Sequence, residues 1–566
     1  MPTHGAPPDA DGSRATPHVV VVGGGLTGMT AARRLAQGGA RVTLVEAADR
    51  LGGHVLTLDV PRAGAPIDVG AEAMYTGAPE TEALLDELGL REDMVLARAG
   101  ESWLWTPAGR RRLPPGVGPA GPTRLRPVLR SGVMTVPGLA RAGLEPIAAR
   151  LRGRRPVGPG QDISVGDFVA GRFGRQVVDR FVDPLLGGLH SGDVRQLSLR
   201  ATTPSLVGAA SSGRSLMPLR LRDLPSRALR GSLPRRRGAG RHAAPPGSAR
   251  PADGARPARH ARPASPVGMR FLSWPGGLRT VLDALLADVD VDVRIGTLVT
   301  SLTGSTADGP RGGDAPGSSG TWRPSYRLQL QAGVHSELVD ADAVVLAVPA
   351  WAAQRLLAPL LPRVSDTLAA TRVASTATVV LGFPREDVAG VAAFAGNGLL
   401  IGSGTGTLLK AVTNLSAKWP QYADDELFWV RLSAGRDGAD RVTPLTDEHL
   451  VDHLRRDLRA LTGLDAAPVV VHVQRWRRGL PQLTVGHVDR VNIVRAELAG
   501  ALPGLALAGA SYDGIGLAAC LGSARGAAAL VLDALGLPSP GLATPQPTGR
   551  PTPRTGSAST TPSQEH

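Results

Sequence analysis

The chain has 566 residues, of which 42% are hydrophobic and only 3% aromatic. That length can hold more than one hydrophobic core, and the scarcity of aromatic residues predicts cores of Leu, Val and Ala. The one cysteine, Cys520, excludes an intrachain disulfide and a cysteine-based metal cluster, and it suits a reducing cytoplasm. No stretch approaches the ~20 apolar residues of a membrane-spanning helix, so we expect a cytoplasmic protein without a transmembrane segment.

The net charge of +14 suggests nucleic-acid binding, but its distribution argues against it. Residues 211–270 contain 14 arginines against two aspartates and so hold +12 of that charge. Within this window, 235–266 has no periodicity and few large apolar residues, which predicts a disordered, solvated insertion. The insertion also lacks aromatic residues on which bases could stack. A weak contact with an acidic membrane surface or partner remains the alternative.

The segment His18–Glu46 predicts a βαβ dinucleotide-binding unit. A run of four valines reads as a buried strand, and the glycines that follow have G-x-G-x-x-G spacing. A helix and a second strand come next, and Glu46 closes that strand. We expect a pyrophosphate at the helix N-terminus, where free N–H groups and the dipole favour anions. Glu46 is expected to accept the ribose hydroxyls, and the predicted turn contacts are Gly23, Gly24, Gly25, Leu26, Thr27 and Gly28.

Two motifs downstream of Glu46 indicate which dinucleotide is bound. Residues 47–53 read AADRLGG and are followed by His54, and residues 67–72 read IDVGAE. These motifs resemble the flavin amine oxidase and protoporphyrinogen oxidase superfamily, which binds FAD. The resemblance implies that both segments lie along the ribityl chain and flavin ring. The contacts it implies come from Ala47, Arg50, Gly53, His54, Gly70, Ala71, Glu72 and Ala73.

The next region reads as mainly helical. We predict a helix over 80–90, a hairpin over 102–113, short helices over 114–159 and a helix over 162–182. Residues 182–193, VDPLLGGLHSGD, resemble an element of bacterial porphyrinogen oxidases that borders the substrate cavity. The alternative is a turn that only packs.

Beyond the insertion the chain resembles the part of the superfamily in which the chain re-enters the FAD domain. The resemblance consists of FLSWPGG, a helix over 278–287 and strands within 289–299, 326–331 and 340–349. The resemblance puts Val299 against the adenine half. Residues 301–323 read as a loop. A second domain follows, with strands over 377–381, 399–401, 427–432 and 469–474 and a helix over 449–461. Its motif RW…PQLTVGH resembles the family's and could lay Trp476 against the flavin, although a core tryptophan is the alternative. His487 is expected to be structural.

The last segment repeats the order of strand, glycine turn and helix over 505–535. In flavoenzymes of this class the helix N-terminus faces the N1/C2=O edge of the flavin, where the dipole stabilises the reduced form. The implied contacts are Ala510, Ile515, Gly516 and Leu517, and Asp513 is expected to be a turn residue. The covalent flavin cysteine of monoamine oxidases lies well upstream of this turn, so we expect noncovalent FAD.

The predicted fold class is α/β, with a discontinuous Rossmann-like FAD-binding domain, an α+β substrate-binding domain and a helical subdomain. The expected divisions are disordered tails over 1–16 and 538–566, FAD-binding segments over 17–75, 267–350 and 491–537, substrate-binding and helical segments over 76–234 and 351–490, and the insertion over 235–266.

By resemblance to the soluble bacterial porphyrinogen oxidases, the activity is oxidation of coproporphyrinogen III to coproporphyrin III in haem biosynthesis. Six electrons pass to flavin and O2, which yields H2O2, and other haem-pathway enzymes are possible partners. Protoporphyrinogen IX, an amine or a carotenoid precursor are the alternative substrates, and a nucleic-acid-binding or scaffold protein is the alternative class. We assign no catalytic residue and expect no metal.

Overall fold

The computed structural model describes residues 16–118, 121–122, 125–152, 157–158, 160–217, 270–304, 325–438 and 440–540. The predicted insertion over 235–266 lies outside the described residues. So do residues 1–15 and 541–566 of the two predicted tails, and most of the predicted loop over 301–323. Residues 301–304, which that loop included, are in a strand instead.

The strands, labelled in chain order, are β1 His18–Val22, β2 Arg41–Val45, β3 Thr57–Leu58, β4 Ile67–Asp68, β5 Met74–Tyr75, β6 Val95–Leu96, β7 Ser102–Thr106, β8 Gly109–Arg112, β9 Val117–Gly118, β10 Gly121–Pro122, β11 Phe271–Ser273, β12 Asp292–Arg294, β13 Leu298–Gly304, β14 Tyr326–Ala332, β15 His335–Ala341, β16 Ala343–Leu346, β17 Val373–Pro384, β18 Gly398–Ile401, β19 Leu409–Asn414, β20 Leu427–Ala434, β21 Val470–Pro481 and β22 Leu505–Leu507.

The α-helices are α1 Leu26–Gln37, α2 Pro79–Glu87, α3 Leu125–Ser131, α4 Val136–Gly143, α5 Glu145–Arg152, α6 Val165–Phe173, α7 Arg175–Val177, α8 Gly188–His190, α9 Leu199–Thr202, α10 Val207–Ser212, α11 Arg279–Leu285, α12 Ala350–Leu357, α13 Pro362–Ala369, α14 Arg385–Val388, α15 Leu415–Lys418, α16 Asp447–Thr462, α17 His487–Ala501, α18 Ala510–Asp513 and α19 Leu517–Leu535. A π-helix spans Val178–Gly187, and 3-10 turns span Pro204–Leu206, Ala392–Phe394, Ser403–Thr405 and Pro420–Tyr422.

A five-stranded parallel sheet is built from distant parts of the chain in the order β12–β2–β1–β16–β22. β1 is buried along its whole length, as the run of valines predicts for a strand covered on both faces. The predicted α/β, Rossmann-like architecture is therefore confirmed, whereas the domain boundaries stay a prediction. Because the strands are parallel, α1 and α19 both begin at the carboxyl edge of the sheet.

The helix α19 packs against α1 through small side chains in the core. It is 19 residues long and apolar enough to meet the length and composition criterion for a membrane span. The expectation that no stretch approaches spanning length is therefore wrong. In this fold Cys520, Ala524, Ala528 and Val531 are buried on the face of α19 that meets the core, and a core helix meets the same criterion.

A second sheet has seven strands in the order β21–β17–β20–β19–β18–β7–β8. The predicted hairpin β7–β8 is confirmed, and it joins this sheet through β18. One face is apolar and is covered by α16, whose leucines at helical spacing are buried. The opposite face carries Thr376, Thr378, Arg431, Ser433 and Trp476 in register across three strands.

The predicted single helix over 162–182 is wrong, because the chain breaks at Gly174. That residue adopts a φ of 95°, outside the helical region, and ends α6 at Phe173. The chain then resumes as α7 and the π-helix, whose wider turns accommodate Pro184. The segment 182–193 is therefore helical as far as His190.

Candidate active site

The three glycines of the turn after β1 have different structural roles. Gly23 has a φ of 108°, and a Cβ there would lie 2.5 Å from the carbonyl oxygen of Ala347. A Cβ on Gly28 would lie 1.7 Å from the carbonyl oxygen of Gly23. At Gly25, by contrast, the nearest atom to an added Cβ would be the Cα of Gly53 at 3.8 Å. The fold itself therefore excludes side chains at Gly23 and Gly28, while the space at Gly25 is left for a ligand.

The N-termini of α1 and α19 are both uncapped. Their N-cap residues, Gly25 and Gly516, have no side-chain oxygen to accept from the backbone N–H groups, and neither helix has an acidic residue in its first turn. An added Cβ on Gly516 would have nothing within 4 Å. Free N–H groups and the positive ends of two long helices are thus available at one edge of the sheet. This arrangement suits an anionic, phosphate-bearing ligand.

The predicted contacts of the last segment meet the first turn through Thr27. A Cβ on Gly509 would lie 3.7 Å from Thr27 Oγ1. Ala510 begins the short helix α18, whereas the sequence predicted only a glycine turn at this point. Ile515, Gly516 and Leu517 then lead into α19 and are partly or fully exposed. Residues from both ends of the chain are therefore adjacent here, as the resemblance implies.

The carboxylate of Glu46 is bound by the backbone in this structure. Its Oε2 accepts from the N–H of Gly24 at 2.6 Å, and Oε1 accepts from the N–H of Ala48 at 2.8 Å. Ala47 is exposed beside it. The N–H of Thr297 donates to the Glu46 carbonyl oxygen at 2.8 Å, which brings β13 and Val299 close to this point. The Val299 side chain is buried in the core, so its predicted contact with adenine stays a prediction.

Arg50 holds the AADRLGG loop in place. Its Nη1 donates to the carbonyl oxygen of Leu51 at 3.0 Å, and its Nη2 donates to that of Gly53 at 2.9 Å. The loop is joined to the first turn because the N–H of Gly52 donates to the carbonyl oxygen of Gly24 at 2.8 Å. Burial lowers the pKa of Arg50. The arginine thus shapes the loop through its carbonyl groups.

His54, Gly70, Ala71 and Trp476 form one group. The N–H of Ala71 donates to the carbonyl oxygen of His54 at 2.9 Å, and a Cβ on Gly70 would lie 2.1 Å from that oxygen. The His54 side chain is exposed to solvent, yet desolvation by the crowded protein atoms around it lowers its pKa. A side chain that is accessible to solvent and yet crowded by protein atoms, like that of His54, lines a concave recess. Trp476 is only partly buried, unlike a core tryptophan.

Glu72 connects this group to the seven-stranded sheet. Its carboxylate accepts from Lys418 Nζ at 2.6 Å, from Trp419 Nε1 at 2.8 Å and from Arg431 Nη2. Burial opposes ionisation, but the charges of Arg431 and Lys418 outweigh it and hold the pKa of Glu72 at about 2. Since these partners engage both carboxylate oxygens, the predicted cofactor contacts of Glu72 and of Ala73 beside it would come from the backbone.

Sequence analysis missed Arg431, which belongs to this site. Its Nη1 donates to the carbonyl oxygens of Asp68 at 3.1 Å and Gly70 at 3.2 Å. The analysis also missed a buried polar cluster at the segment 182–193. Its members are Asp183, His190, Lys410 and Arg436. One signal was available, because Lys410 and Lys418 are the only lysines of the chain and both reach this region.

Three other singled-out residues are held by the fold. The carboxylate of Asp513 accepts from Arg495 at 2.7 and 2.9 Å and from Ser523. His487 is buried with its Nε2 3.0 Å from the carbonyl oxygen of Tyr512. Burial raises the pKa of the Cys520 thiol. No group of three or more His, Cys, Asp or Glu side chains within the described part of the chain could hold a metal ion.

Comparison with known proteins shows one family across nearly the whole chain. The model for flavin containing amine oxidoreductases matches residues 26–532. The chain is 33% identical to the coproporphyrinogen III oxidase of Mycobacterium tuberculosis over 91% of this chain and 97% of the relative. It is 28% identical to that of Bacillus subtilis over 92% and 98%. A provisionally named protoporphyrinogen oxidase from an Exiguobacterium species has a similar structure, with a TM-score of 0.70, 26% identity and coverage of 92% and 99%.

Proposed function

Because the chain belongs to the flavin containing amine oxidoreductase family, we propose that it oxidises coproporphyrinogen III to coproporphyrin III with FAD and O2, releasing H2O2, in haem biosynthesis. The observation that carries the cofactor assignment is the bare backbone at Gly25. A Cβ there would make only an ordinary van der Waals contact, 3.8 Å from the Cα of Gly53, and Gly25 stands at the uncapped start of a 12-residue helix.

The residues at the site fit a flavin dinucleotide. Under this proposal the diphosphate lies on the N-terminus of α1, the ribose at Glu46, and the ring in the recess lined by His54 and Trp476. The uncapped N-terminus of α19 would favour negative charge on the ring. Bound FAD would supply the two-electron oxidations. We propose noncovalent binding, because the single thiol, Cys520, is buried behind the turn.

The chain's own residues orient the reactants and maintain the site. Arg431 and Lys418 keep Glu72 ionised, and this network fixes the loop from Asp68 to Glu72 against the sheet. A fixed loop keeps the recess in one shape, and orientation of this kind lowers the barrier without a separate acid or base. Asp513 and His487 are both engaged with protein groups, and we assign neither a role as acid or base.

Coproporphyrinogen III is the preferred substrate in this proposal because the curated relatives from M. tuberculosis and B. subtilis carry that name at full length. Protoporphyrinogen IX is the second candidate, since a 26% identical relative from rice is named for that activity. We place the enzyme in the cytoplasm, where a chain with one cysteine keeps its thiol reduced. A porphyrinogen and O2 are its proposed partners.

Initial rates on both porphyrinogens, measured under air with FAD present, test the proposal. Porphyrin fluorescence follows the product, and H2O2 is measured in parallel. We expect coproporphyrinogen III to react faster. A tenfold preference for protoporphyrinogen IX, or ~1.4 kcal/mol at the transition state, would overturn the substrate assignment but keep the reaction class. No oxidation of either compound would overturn the function and leave the amine and carotenoid alternatives.

A further inference from the structure

Several polar side chains are buried where the segment 182–193 meets the seven-stranded sheet. Asp183 is 3% exposed, His190 is 4% exposed and Lys410 is 6% exposed. They come from the π-helix, from α8 and from β19, respectively. Arg436, just after β20, is partly buried beside them. This group of buried side chains therefore contains one carboxylate and three cationic or ionisable nitrogen groups.

Lys410 reaches this cluster because its strand is irregular. The pairing of β19 with β20 shifts between Leu409 and Ala411, and Lys410 occupies that step. A bulge of this kind re-aims a side chain and is common beside active sites. The ammonium donates to the hydroxyl of Ser191, at the end of α8.

The segment 401–403 brings Arg436 and Asp183 together. Arg436 Nη2 donates to the carbonyl oxygen of Ile401 at 2.6 Å, and the N–H of Ser403 donates to Asp183 Oδ2 at 2.6 Å. The negative charge of Asp183 acts on Arg436, the positive charge of Arg436 acts on Lys410, and that of Lys410 acts on His190. The four side chains are thus neighbours although their elements are far apart in sequence.

The cluster has polar atoms without partners among the described residues. They are Asp183 Oδ1, His190 Nδ1 and Arg436 Nη1, each almost free of solvent contact. A buried donor or acceptor without a partner is costly, and an uncompensated buried charge costs more. With Lys410 charged, two cations face one carboxylate, which leaves one positive charge to be balanced. A single anion with two acceptor oxygens would balance it and bind the free donors.

The cluster also lies near the proposed flavin. In β19, Thr413 pairs with Arg431, whose guanidinium holds Gly70 and Glu72. Lys410 is three residues before Thr413, which corresponds to about 10 Å along a strand. A tetrapyrrole in contact with the flavin spans that distance.

We propose that Lys410 and Arg436, with His190 Nδ1 beside them, form the binding site for one carboxylate of the porphyrinogen. This inference rests on the proposed function, because it takes the tetrapyrrole as the substrate. Charge-assisted hydrogen bonds from an arginine and a lysine orient a carboxylate strongly, and in a buried site they hold it more firmly than in water. The segment 182–193 thereby helps to position the porphyrinogen by one of the porphyrinogen's carboxylate side chains.

The test measures binding of the non-reacting product to FAD-loaded protein by fluorescence titration. The ligands are coproporphyrin III and its tetramethyl ester, which has the same ring without carboxylates. The variants are Lys410→Met and Arg436→Gln, each of similar length to the residue it replaces, and Arg327→Gln is the matched control. Arg327 is exposed on β14 and pairs with Asp340, remote from the cluster in the fold.

We expect each cluster variant to raise the Kd for coproporphyrin III at least tenfold and to leave that for the ester unchanged. In turnover, KM should rise by a similar factor with little change in kcat. The control should match the native protein in both assays. Flavin content and thermal unfolding, measured for every variant, show that it is folded. If Lys410→Met does not fold, Arg436→Gln and the comparison of acid with ester carry the test.

Several outcomes would overturn the inference. Variants that oxidise porphyrinogens and bind the free acid as tightly as the native protein would refute it while the proposed function survives. Equal weakening of acid and ester would indicate a change of shape instead of a carboxylate site. Displacement by millimolar inorganic phosphate at constant ionic strength would indicate a general anion site. Native protein that oxidises neither porphyrinogen would refute the proposed function and this inference together.

Discussion

The indole ring of Trp476 lies 5.1 Å from the imidazole ring of His54, centroid to centroid, at an inclination of 42°. Trp476 belongs to β21 of the seven-stranded sheet, and His54 follows the loop that packs on the parallel sheet. A Cβ on Gly70 would lie 3.1 Å from Cζ2 of the indole. The two sheets therefore meet at this pair, and the recess assigned to the flavin ring has one wall from each.

Replacing Trp476 by Ala tests that wall. The variant should bind FAD at least tenfold more weakly, a loss of ~1.4 kcal/mol, because the apolar ring surface against the cofactor is removed. Titration of apoprotein with FAD, followed by flavin fluorescence, measures the change. Trp476→Phe keeps a ring at the position and should retain most of the affinity. Equal FAD affinity in native protein and the Ala variant would show that Trp476 does not contact the cofactor.

The glycine turn allows fold and ligand effects to be separated. Gly25→Val should fold, because the protein leaves room for a side chain there, but it should purify without FAD. Gly28→Val should fail to fold, since its Cβ would lie 1.7 Å from a carbonyl oxygen. Circular dichroism and flavin absorbance distinguish the two results. A yellow Gly25→Val protein would contradict the assigned diphosphate position.

The ion pairs of Glu72 predict an acid-dependent stability. Its pKa is about 2 in the folded protein against an ordinary value of 4.5, so the unfolded chain takes up the proton first as pH falls. The stabilisation is full above about pH 4.5 and is lost as pH falls towards 2. Glu72→Gln should cost ~3–5 kcal/mol at neutral pH, because it leaves two buried cations without a counter-ion.

Urea unfolding over a series of pH values measures this effect. The difference between native protein and Glu72→Gln should shrink below about pH 4.5. Asp340→Asn, which changes an exposed carboxylate paired with the exposed Arg327, is a comparison for an ordinary surface ion pair. A difference that does not depend on pH would show that Glu72 acts through packing alone.

Lys410 predicts a pH dependence of the opposite kind. Burial, together with Arg436 and Arg431, lowers its pKa to about 7 from 10.5, while Ser191 and His190 lie beside it on the helical side. Below about pH 7 the folded protein must bury the charge, so the group destabilises it, and the penalty disappears as pH rises towards 10.5.

Without bound porphyrin, protein carrying Lys410→Met should therefore be more stable than native protein at neutral and lower pH. The difference should vanish above about pH 10.5. Thermal unfolding of both FAD-loaded proteins across this range measures it. Lower stability of the Met variant at every pH would mean that the ammonium is satisfied within the fold, contrary to the unbalanced charge inferred for the cluster.

Local patterns in the sequence determined the βαβ unit at the start of the parallel sheet. The run of valines, the glycine spacing and Glu46 lie within 29 residues, and their order along the chain dictates a strand, a turn and a helix. The hairpin at 102–113 and the amphipathic α16 were predictable for the same reason, because hydrophobic periodicity is a local property. The break at Gly174 was not, since a glycine inside an apolar helical pattern does not reveal its own φ.

Only the tertiary structure decided what surrounds the recess and the buried cluster. Glu72 meets Arg431 and Lys418 across more than 340 positions of the chain, and Lys410 meets Ser191 across 219. No pattern in the sequence specifies such pairs, because they depend on which faces of two sheets come together. The sequence by itself determined that a glycine turn and the start of α1 follow β1, where we propose the dinucleotide binds. The packing of the sheets determined which charges are buried beside it, since charge burial depends on neighbours that are distant along the chain.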